Sequence, residues 1–315
     1  MKEEIVLSVC LVTYNHETYI RECLDSFMSQ NIPFSFEILV GDDSSVDKTV
    51  EIIENEYKNE VTLIKREKNL GLCNNLVDLF QRSRGKYILP FAGDDYLCDD
   101  NALYKMVNFL ETHEEYHSVS SWQKTYNEKE KKFYYLQKDD GPTEYNLKDF
   151  LSGMMPPCCK GVIRNTFKDK NEDFNFLKKG ARSNEEIKSW MYWVVHGKLY
   201  VIHEYLRIYR YVKDENASNY CSSNTELNIF KDYYLDIQLL ESVYHDKYQL
   251  RPLKLTWINH YCIQFSNRFK DFADFIKVLK FNDILELMWY KIYLKLHNHQ
   301  NPDKWYREEY LILGE

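Results

Sequence analysis

Two adjacent carboxylates, Asp94 and Asp95, follow the apolar run Tyr87-Ile88-Leu89-Pro90-Phe91, with Gly93 just before them. The run reads as a buried strand, so the acidic pair falls at a strand's carboxyl end. Carboxylates placed there suit a hard divalent cation, which takes oxygen ligands and shares them with phosphates. In an open α/β sheet the same edge is where ligands bind. A second pair, Asp42-Asp43, follows the strand-like Phe36 to Val40 and precedes a helical pattern. A carboxylate at that point can accept a hydrogen bond from a base N–H or a ribose hydroxyl, or it can cap the helix. Tyr14-Asn15 follows a third strand-like run, Ile5 to Thr13. Tyr14 offers a face on which a nucleobase can stack, and Asn15 a side chain that can hold the turn. Asn69-Leu70-Gly71 reads as a turn able to bring backbone close to a ligand. Glu185-Glu186 opens an aromatic helix containing Trp190. Acidic residues favour a helix's first turn. A carboxylate beside an apolar ring can also have its pKa raised and serve as a general base.

Positioning these groups requires strands that end side by side. The first hundred residues supply them in a repeated strand–helix pattern. Ile5 to Thr13 is apolar and β-branched, as a buried parallel strand should be. Tyr19, Ile20, Cys23, Leu24, Phe27 and Met28 then recur at helical spacing and form one apolar stripe. Ser44, Ser45 and Asp47 offer caps for a helix that carries Val46, Val50, Ile53 and Tyr57 on one face. Val61 to Ile64 is a short strand, and Leu72, Leu76, Leu79 and Phe80 mark a helix that Gly85 closes. Such units predict a mostly parallel sheet covered on both faces. The clusters at 14–15, 42–43 and 94–95 then meet at one edge.

Further along, Ala102 to Thr112 reads as a helix and Lys124 to Asp140 as a hairpin or surface loop. Met154 to Pro157 reads as a loop, and Gly161-Val162-Ile163 as a short strand. Glu185 to His196 is helical, and Tyr200 to Ile202 and Leu206 to Tyr211 read as two strands. From about Thr225 the strands stop and helical periods take over. Leu285, Met288, Trp289, Ile292 and Leu296 form one apolar stripe flanked by Lys291 and Lys295. That stripe suits packing on the catalytic part, a homodimer contact, or a membrane surface.

A chain of 315 residues buries a sizeable core. Its net charge of −8 speaks against a nucleic-acid partner. The eight cysteines, Cys158-Cys159 included, show no metal-ligand spacing. His297 and His299 sit in a polar tail that reads as solvated, and the sequon Asn216-Ala217-Ser218 carries no meaning in a cytosolic chain. No apolar run reaches the ~20 residues of a membrane span. The expected location is cytoplasmic, with the inner face of the cell membrane as the alternative.

The stretches Val9 to Asn15, Glu37 to Ser45, Asn69-Leu70-Gly71, and Gly85 through Gly93-Asp94-Asp95-Tyr96 occur in an order that resembles the family 2 glycosyltransferases. Glu185-Glu186, Gly197-Lys198 and Tyr209-Arg210 extend the likeness to roughly residue 218, most closely to bacterial enzymes of cell-surface polysaccharide synthesis. The resemblance implies a GT-A, Rossmann-like mostly parallel α/β sheet flanked by helices. It divides the chain into a catalytic domain at 1–218, with a nucleotide-sugar half at about 1–100 and an acceptor half at about 101–218, and a C-terminal helical region at 219–315. It implies a nucleotide-sugar donor, most often a UDP-sugar, and a glycan or lipid-linked saccharide acceptor. Val12, Thr13, Tyr14, Asn15, Asp43, Asn69, Gly71 and Asp94 would contact the donor, with Asp43 on the uracil. Asp95 would hold Mn²⁺ or Mg²⁺ on the diphosphate, and Glu186, or its neighbour Glu185, would be the base. Three positions depart from the family pattern. Gly93 replaces the first carboxylate of the D-x-D motif, Glu186 stands where Asp is usual, and Val212 lies near where a His is often found. A sugar nucleotidyltransferase would carry a Gly-rich basic loop where this chain has Tyr14-Asn15-His16. A non-catalytic nucleotide-sugar-binding protein would keep Asp43 but show no turnover.

Overall fold

A computed structural model describes residues 4–136, 143–153, 161–168, 175–181, 186–212, 225–266, 269–296 and 310–312. Glu185, the 154–157 turn, Cys158-Cys159, the 216–218 sequon, and His297 and His299 lie outside the described residues. Strand β1 (Leu7–Thr13) is buried along its whole length, because it lies between β2 (Phe36–Asp42) and β4 (Tyr87–Ala92) and pairs with both in parallel. Strand β3 (Val61–Lys65) extends the parallel set beyond β2.

Side chains of a strand alternate between faces, and β1 feeds two cores. Leu7, Val9 and Leu11 pack with the helices α1 (Ile20–Met28), α2 (Thr49–Glu56) and α4 (Ala102–Thr112). Cys10 and Val12 face α3 (Leu72–Arg82) and α6 (Glu186–His196). The first of these two cores is closed by Ile20, Cys23, Leu24 and Phe27, while Met28, expected in the same stripe, is exposed and Tyr19 stands at the N-cap.

Beyond β4 the sheet becomes mixed. A two-residue strand β5 (Tyr96–Leu97) follows, and then the long β6 (Tyr116–Asn127) folds back on β7 (Lys132–Leu136) as a hairpin. Strand β8 (Glu144–Tyr145), helix α5 (Leu147–Leu151), β9 (Val162–Arg164) and a 3-10 turn at Asn175–Lys178 lead to α6. Strand β10 (Lys198–Tyr211) pairs with β5, β6 and β8. The two strands expected at 200–202 and 206–211 are thus one, with register shifts against β6 where they were expected to break. Helices α7 (Glu226–Tyr244), α8 (Arg251–Phe265), α9 (Phe269–Val278) and α10 (Phe281–Leu296) complete the helical part. A last strand, β11 (Tyr310–Ile312), pairs with β7, so strands do not end near Thr225.

Two further expectations are corrected. Val46 is 87% exposed and precedes α2, because its backbone N–H is held by the side chain of Asn15 rather than by a helical turn. The buried side of α2 is Thr49, Ile52 and Ile53. On α10 the stripe faces outward: Leu285, Met288, Trp289 and Ile292 are exposed, and Leu287 and Asp283 turn inward. The inward choice follows from charge, since Asp283 meets Lys254 at 3.0 Å and accepts from Tyr234.

The core around α6 continues without interruption into α7–α10, through Phe230, Ile237, Tyr261 and Phe265. A buried ion pair sits within it. Lys188 of α6 and Asp236 of α7 are both fully buried, 3.3 Å apart. Lys188 also donates to the carbonyls of Lys179 and Ala181, and Asp236 accepts the Ala181 N–H at 2.8 Å. Burial pushes the Asp236 carboxyl up to about 7, against the pull of Lys188. Its folded-state value therefore lies above its unfolded one. Any stability this group confers is complete at low pH and is lost as pH rises through 7. Removing the cation exaggerates this. Lys188→Met leaves a buried, uncompensated carboxylate and is expected to cost about 3–5 kcal/mol at pH 8. The cost should be smaller at pH 5, where Asp236 takes a proton. Urea unfolding at the two pH values checks this, and a pH-independent cost would refute the account.

Candidate functional site

Parallel pairing brings the three strand-end clusters together. Thr13 is in register with Asp42, and Val12 with Ala92. Past the strand ends, Asp43 N–H donates to the Thr13 carbonyl at 2.9 Å and Gly93 N–H to the Val12 carbonyl at 2.9 Å. The backbone of each acidic pair is thereby pinned to the end of β1.

Each cluster has a local reason for its shape. Asn15 adopts a left-handed φ of 55°, which asparagine tolerates better than most residues. Its N–H donates to Ser45 Oγ and its Oδ1 accepts from Val46 N–H, both at 2.9 Å. Asp42 is spent on Ser45, accepting from its N–H at 2.9 Å and from its hydroxyl. Asp43 reaches across to the turn before α3. Its Oδ1 accepts Leu70 N–H at 2.7 Å and its Oδ2 accepts Gly71 N–H at 2.9 Å. Asn69 Oδ1 adds a bond to the same Gly71 N–H, and Gly71 has φ of 83°, where an L side chain is strained. Asp43 thus organises the Asn69-Leu70-Gly71 turn, a role its position in the sequence did not reveal. Tyr14 is half-buried at the mouth of β1, and Val12 and Thr13 are buried.

Gly93 explains its own departure from the acidic pattern. A Cβ there would meet His16 Nδ1 at 2.9 Å, Thr13 Oγ1 at 3.0 Å and Ile20 Cδ1 at 3.1 Å. The His16 ring fills the space a third carboxylate would need. It lies 3.2 Å from Thr13 Oγ1, and its Nε2 faces Asp94 Oδ2 at 3.9 Å.

The two aspartates face different partners. Asp95 is 1% exposed; its Oδ2 meets Arg207 Nη2 at 2.5 Å and its Oδ1 accepts the Arg210 N–H at 3.0 Å. The Arg210 guanidinium donates to the Asp94 carbonyl at 2.9 Å, pairs with Glu22 and Glu128, and lies over the rings of Tyr19, Tyr96 and Tyr126. Burial pushes the Tyr96 hydroxyl up to about 12, so it stays neutral beside them. Asp94 is 8% exposed. Among the described residues, no three His, Cys, Asp or Glu side chains converge on a point where a metal could sit. The arrangement fits a cation held chiefly by a ligand's own phosphates and water, with one protein carboxylate contributing. Asp95, expected as that ligand, has Arg207 and the Arg210 N–H on its oxygens.

Glu186 is the first residue of α6, where the helix dipole favours a carboxylate. Its Oε2 accepts from Tyr233 Oη of α7 at 2.6 Å. The residues that sequence reasoning missed are His16, Arg207 and Tyr233. Arg207 left a trace, as a charge between Leu206 and Ile208 in a run that otherwise reads as strand. Such a buried guanidinium requires a carboxylate. His16 and Tyr233 left none.

Residues 8–169 match the family model described as glycosyl transferase family 2. An uncharacterized protein of Mycobacterium tuberculosis is 38% identical over 112 residues, 35% of this chain and 32% of that protein. The poly(ribitol-phosphate) beta-glucosyltransferase of Bacillus spizizenii is 36% identical over 110 residues, 33% of this chain and 17% of that enzyme. The chain thus spans about a third or less of the length of these curated relatives. A crystal structure of S. aureus TarS in complex with UDP-GlcNAc superposes with a TM-score of 0.61 at 18% identity, covering 89% of this chain and 83% of that one, a likeness of fold. With the family model covering 162 of 315 residues and the strand-end acidic clusters in its sheet, the chain belongs to glycosyl transferase family 2.

Proposed function

We propose that this protein transfers a sugar from a nucleotide-sugar, of the UDP class, to a hydroxyl of a glycan or lipid-linked acceptor in bacterial surface polysaccharide synthesis, with inversion at the anomeric carbon. The observation that carries the reading is the convergence of Tyr14, the Asp43-organised turn and Asp94 at one sheet edge. The activity named for the B. spizizenii relative and the UDP-GlcNAc bound to TarS support the choice of donor class.

Tyr14 stacks on the base at the end of β1. Asp43 sets the Leu70–Gly71 turn that borders it, and Asn69 and Gly71 present the turn to the donor. Asp94 would hold Mn²⁺ or Mg²⁺, which would supply neutralisation of the charge that builds on the departing nucleoside diphosphate. Arg207 holds Asp95 and so fixes the backbone from which Asp94 projects. An alcohol is a weak nucleophile at neutral pH, and Glu186 accepts its proton as the new bond forms. Attack from the base's side, opposite the leaving diphosphate, gives an in-line displacement.

Three measurements test the reading. Glu186→Gln should lower kcat by roughly 10²–10⁴ while leaving UDP binding intact; full activity in that variant, with loss in Glu185→Gln, would move the base by one residue. Asp43→Ala should release the Leu70–Gly71 turn and weaken UDP binding about tenfold or more by calorimetry. An unchanged affinity would remove the turn from the donor site. Binding of UDP-sugars without UDP release in the presence of Mn²⁺ and any tested acceptor would favour a binding protein over an enzyme.

The outward face of α10 has a place in the same reading. Phe281, Met288 and Trp289 are 60–72% exposed, and Lys280, Lys291 and Lys295 are exposed beside them. The helix's carboxylates are drawn inward, Asp283 to Lys254 and Glu286 to Arg251. An apolar ridge edged by cations and stripped of anions suits an anionic lipid surface. Flotation with vesicles containing phosphatidylglycerol should carry the protein upward, and Trp289→Ser with Met288→Ser should abolish it. Sedimentation as a dimer that these changes dissociate, without flotation, would assign the face to a second copy of the chain.

A further inference from the structure

The contact between Glu186 and Tyr233 joins residues 47 positions apart and links α6 to a helix beyond the stretch matched by the family model. The Tyr233 ring is itself fixed. It stacks on Trp257 of α8, with centroids 4.6 Å apart and planes at 23°. Trp257 is 8% exposed and packs in turn against Tyr261. One turn further along α7, Asp236 holds Lys188, two residues after Glu186. Helix α7 therefore grips the first turn of α6 at two points of different chemistry. The Asp236–Lys188 pair is fully buried and suffices as a structural tether. The Tyr233 hydroxyl, which is only partly buried with its partner, adds little to that tether. What it adds is a neutral donor aimed at one carboxylate.

We infer that Tyr233 is a positioning residue for Glu186: its hydroxyl, held by the stack on Trp257, fixes the orientation of the carboxylate. The inference rests on the reading of Glu186 as the base. A hydrogen bond donated to one oxygen of a carboxylate fixes the direction of the other. A phenol does this without bringing a charge that would compete for the acceptor. Several other ionisable groups on the elements around α6 have partners of their own. Lys188 and Asp236 hold each other, and Asp149 of α5 closes a cap with Asn146. His196, at the far end of α6, bonds the Tyr192 carbonyl and faces His117 of β6. Lys178 of the 3-10 turn reaches Gln81, and His260 of α8 lies edge-on to Trp257.

Tyr233→Phe removes the donor and keeps the ring and its stack. In the full chain, Tyr233→Phe should lower kcat for UDP release from UDP-GlcNAc, with water standing in for the acceptor, about tenfold while KM and the unfolding midpoint stay unchanged. Trp257→Phe, which keeps a stacking ring, should stay near the unaltered kcat. An unchanged kcat in Tyr233→Phe overturns the inference and makes the contact a tether only. Full activity in Glu186→Gln instead overturns the base assignment, whatever Tyr233→Phe does to kcat.

Discussion

The pairing of Asp95 with Arg207 is the interaction on which this arrangement depends. Both groups are almost wholly buried. Neither could stay there alone, because an unpaired buried charge costs several kcal/mol. The pair fastens the turn after β4 to β10, and the Arg210 N–H makes the same fastening with the other carboxylate oxygen. Strand β4 belongs to the parallel sheet of β1–β4, and β10 to the mixed half that packs on α6. The pair is therefore where the two halves of the protein are registered against each other. Asp94 extends from one side of this clasp. On the other, β10 lies under the helix that Glu186 heads.

The parallel half of the fold was legible in the sequence because its strands are buried on both faces and read as uninterrupted apolar runs. The errors have physical causes. Val46 looks like the first apolar residue of a helix, but Asn15 takes its N–H, and a side chain 31 residues away leaves no local trace. The apolar stripe on α10 has the right period for a core. The competition for the inside was decided by Lys254, which draws Asp283 inward. Strand β10 was divided because polar residues at its centre mimic a break, when they mark irregular register against β6.

The site was legible in a similar way. Residue types and strand ends located the clusters, since carboxylates at the edge of a sheet are conspicuous. Their partners were not legible. Whether an aspartate faces a ligand, a backbone turn or an arginine depends on chain segments far away. Asp43 serves Leu70 and Gly71, and Asp95 serves Arg207, across 27 and 112 positions. The missing carboxylate at Gly93 was visible as an absence. Its reason, an imidazole packed into that space, required three dimensions.

The network around Lys188 has a consequence for how the chain reaches this structure. Cys73 of α3 bonds the Ala181 carbonyl, Lys188 bonds the same carbonyl, and Asp236 bonds the Ala181 N–H. The counter-ion for Lys188 is thus made 48 residues after it. Until α7 leaves the ribosome, the aromatic side of α6 is uncovered and its lysine has no anion to meet. Non-local closure of this kind slows folding and leaves apolar surface open to other chains. The parallel sheet of β1–β4 can therefore close before α7 is made, and the buried face of α6 cannot. A chaperone that covers exposed apolar surface would act on that stage, between synthesis of α6 and of α7.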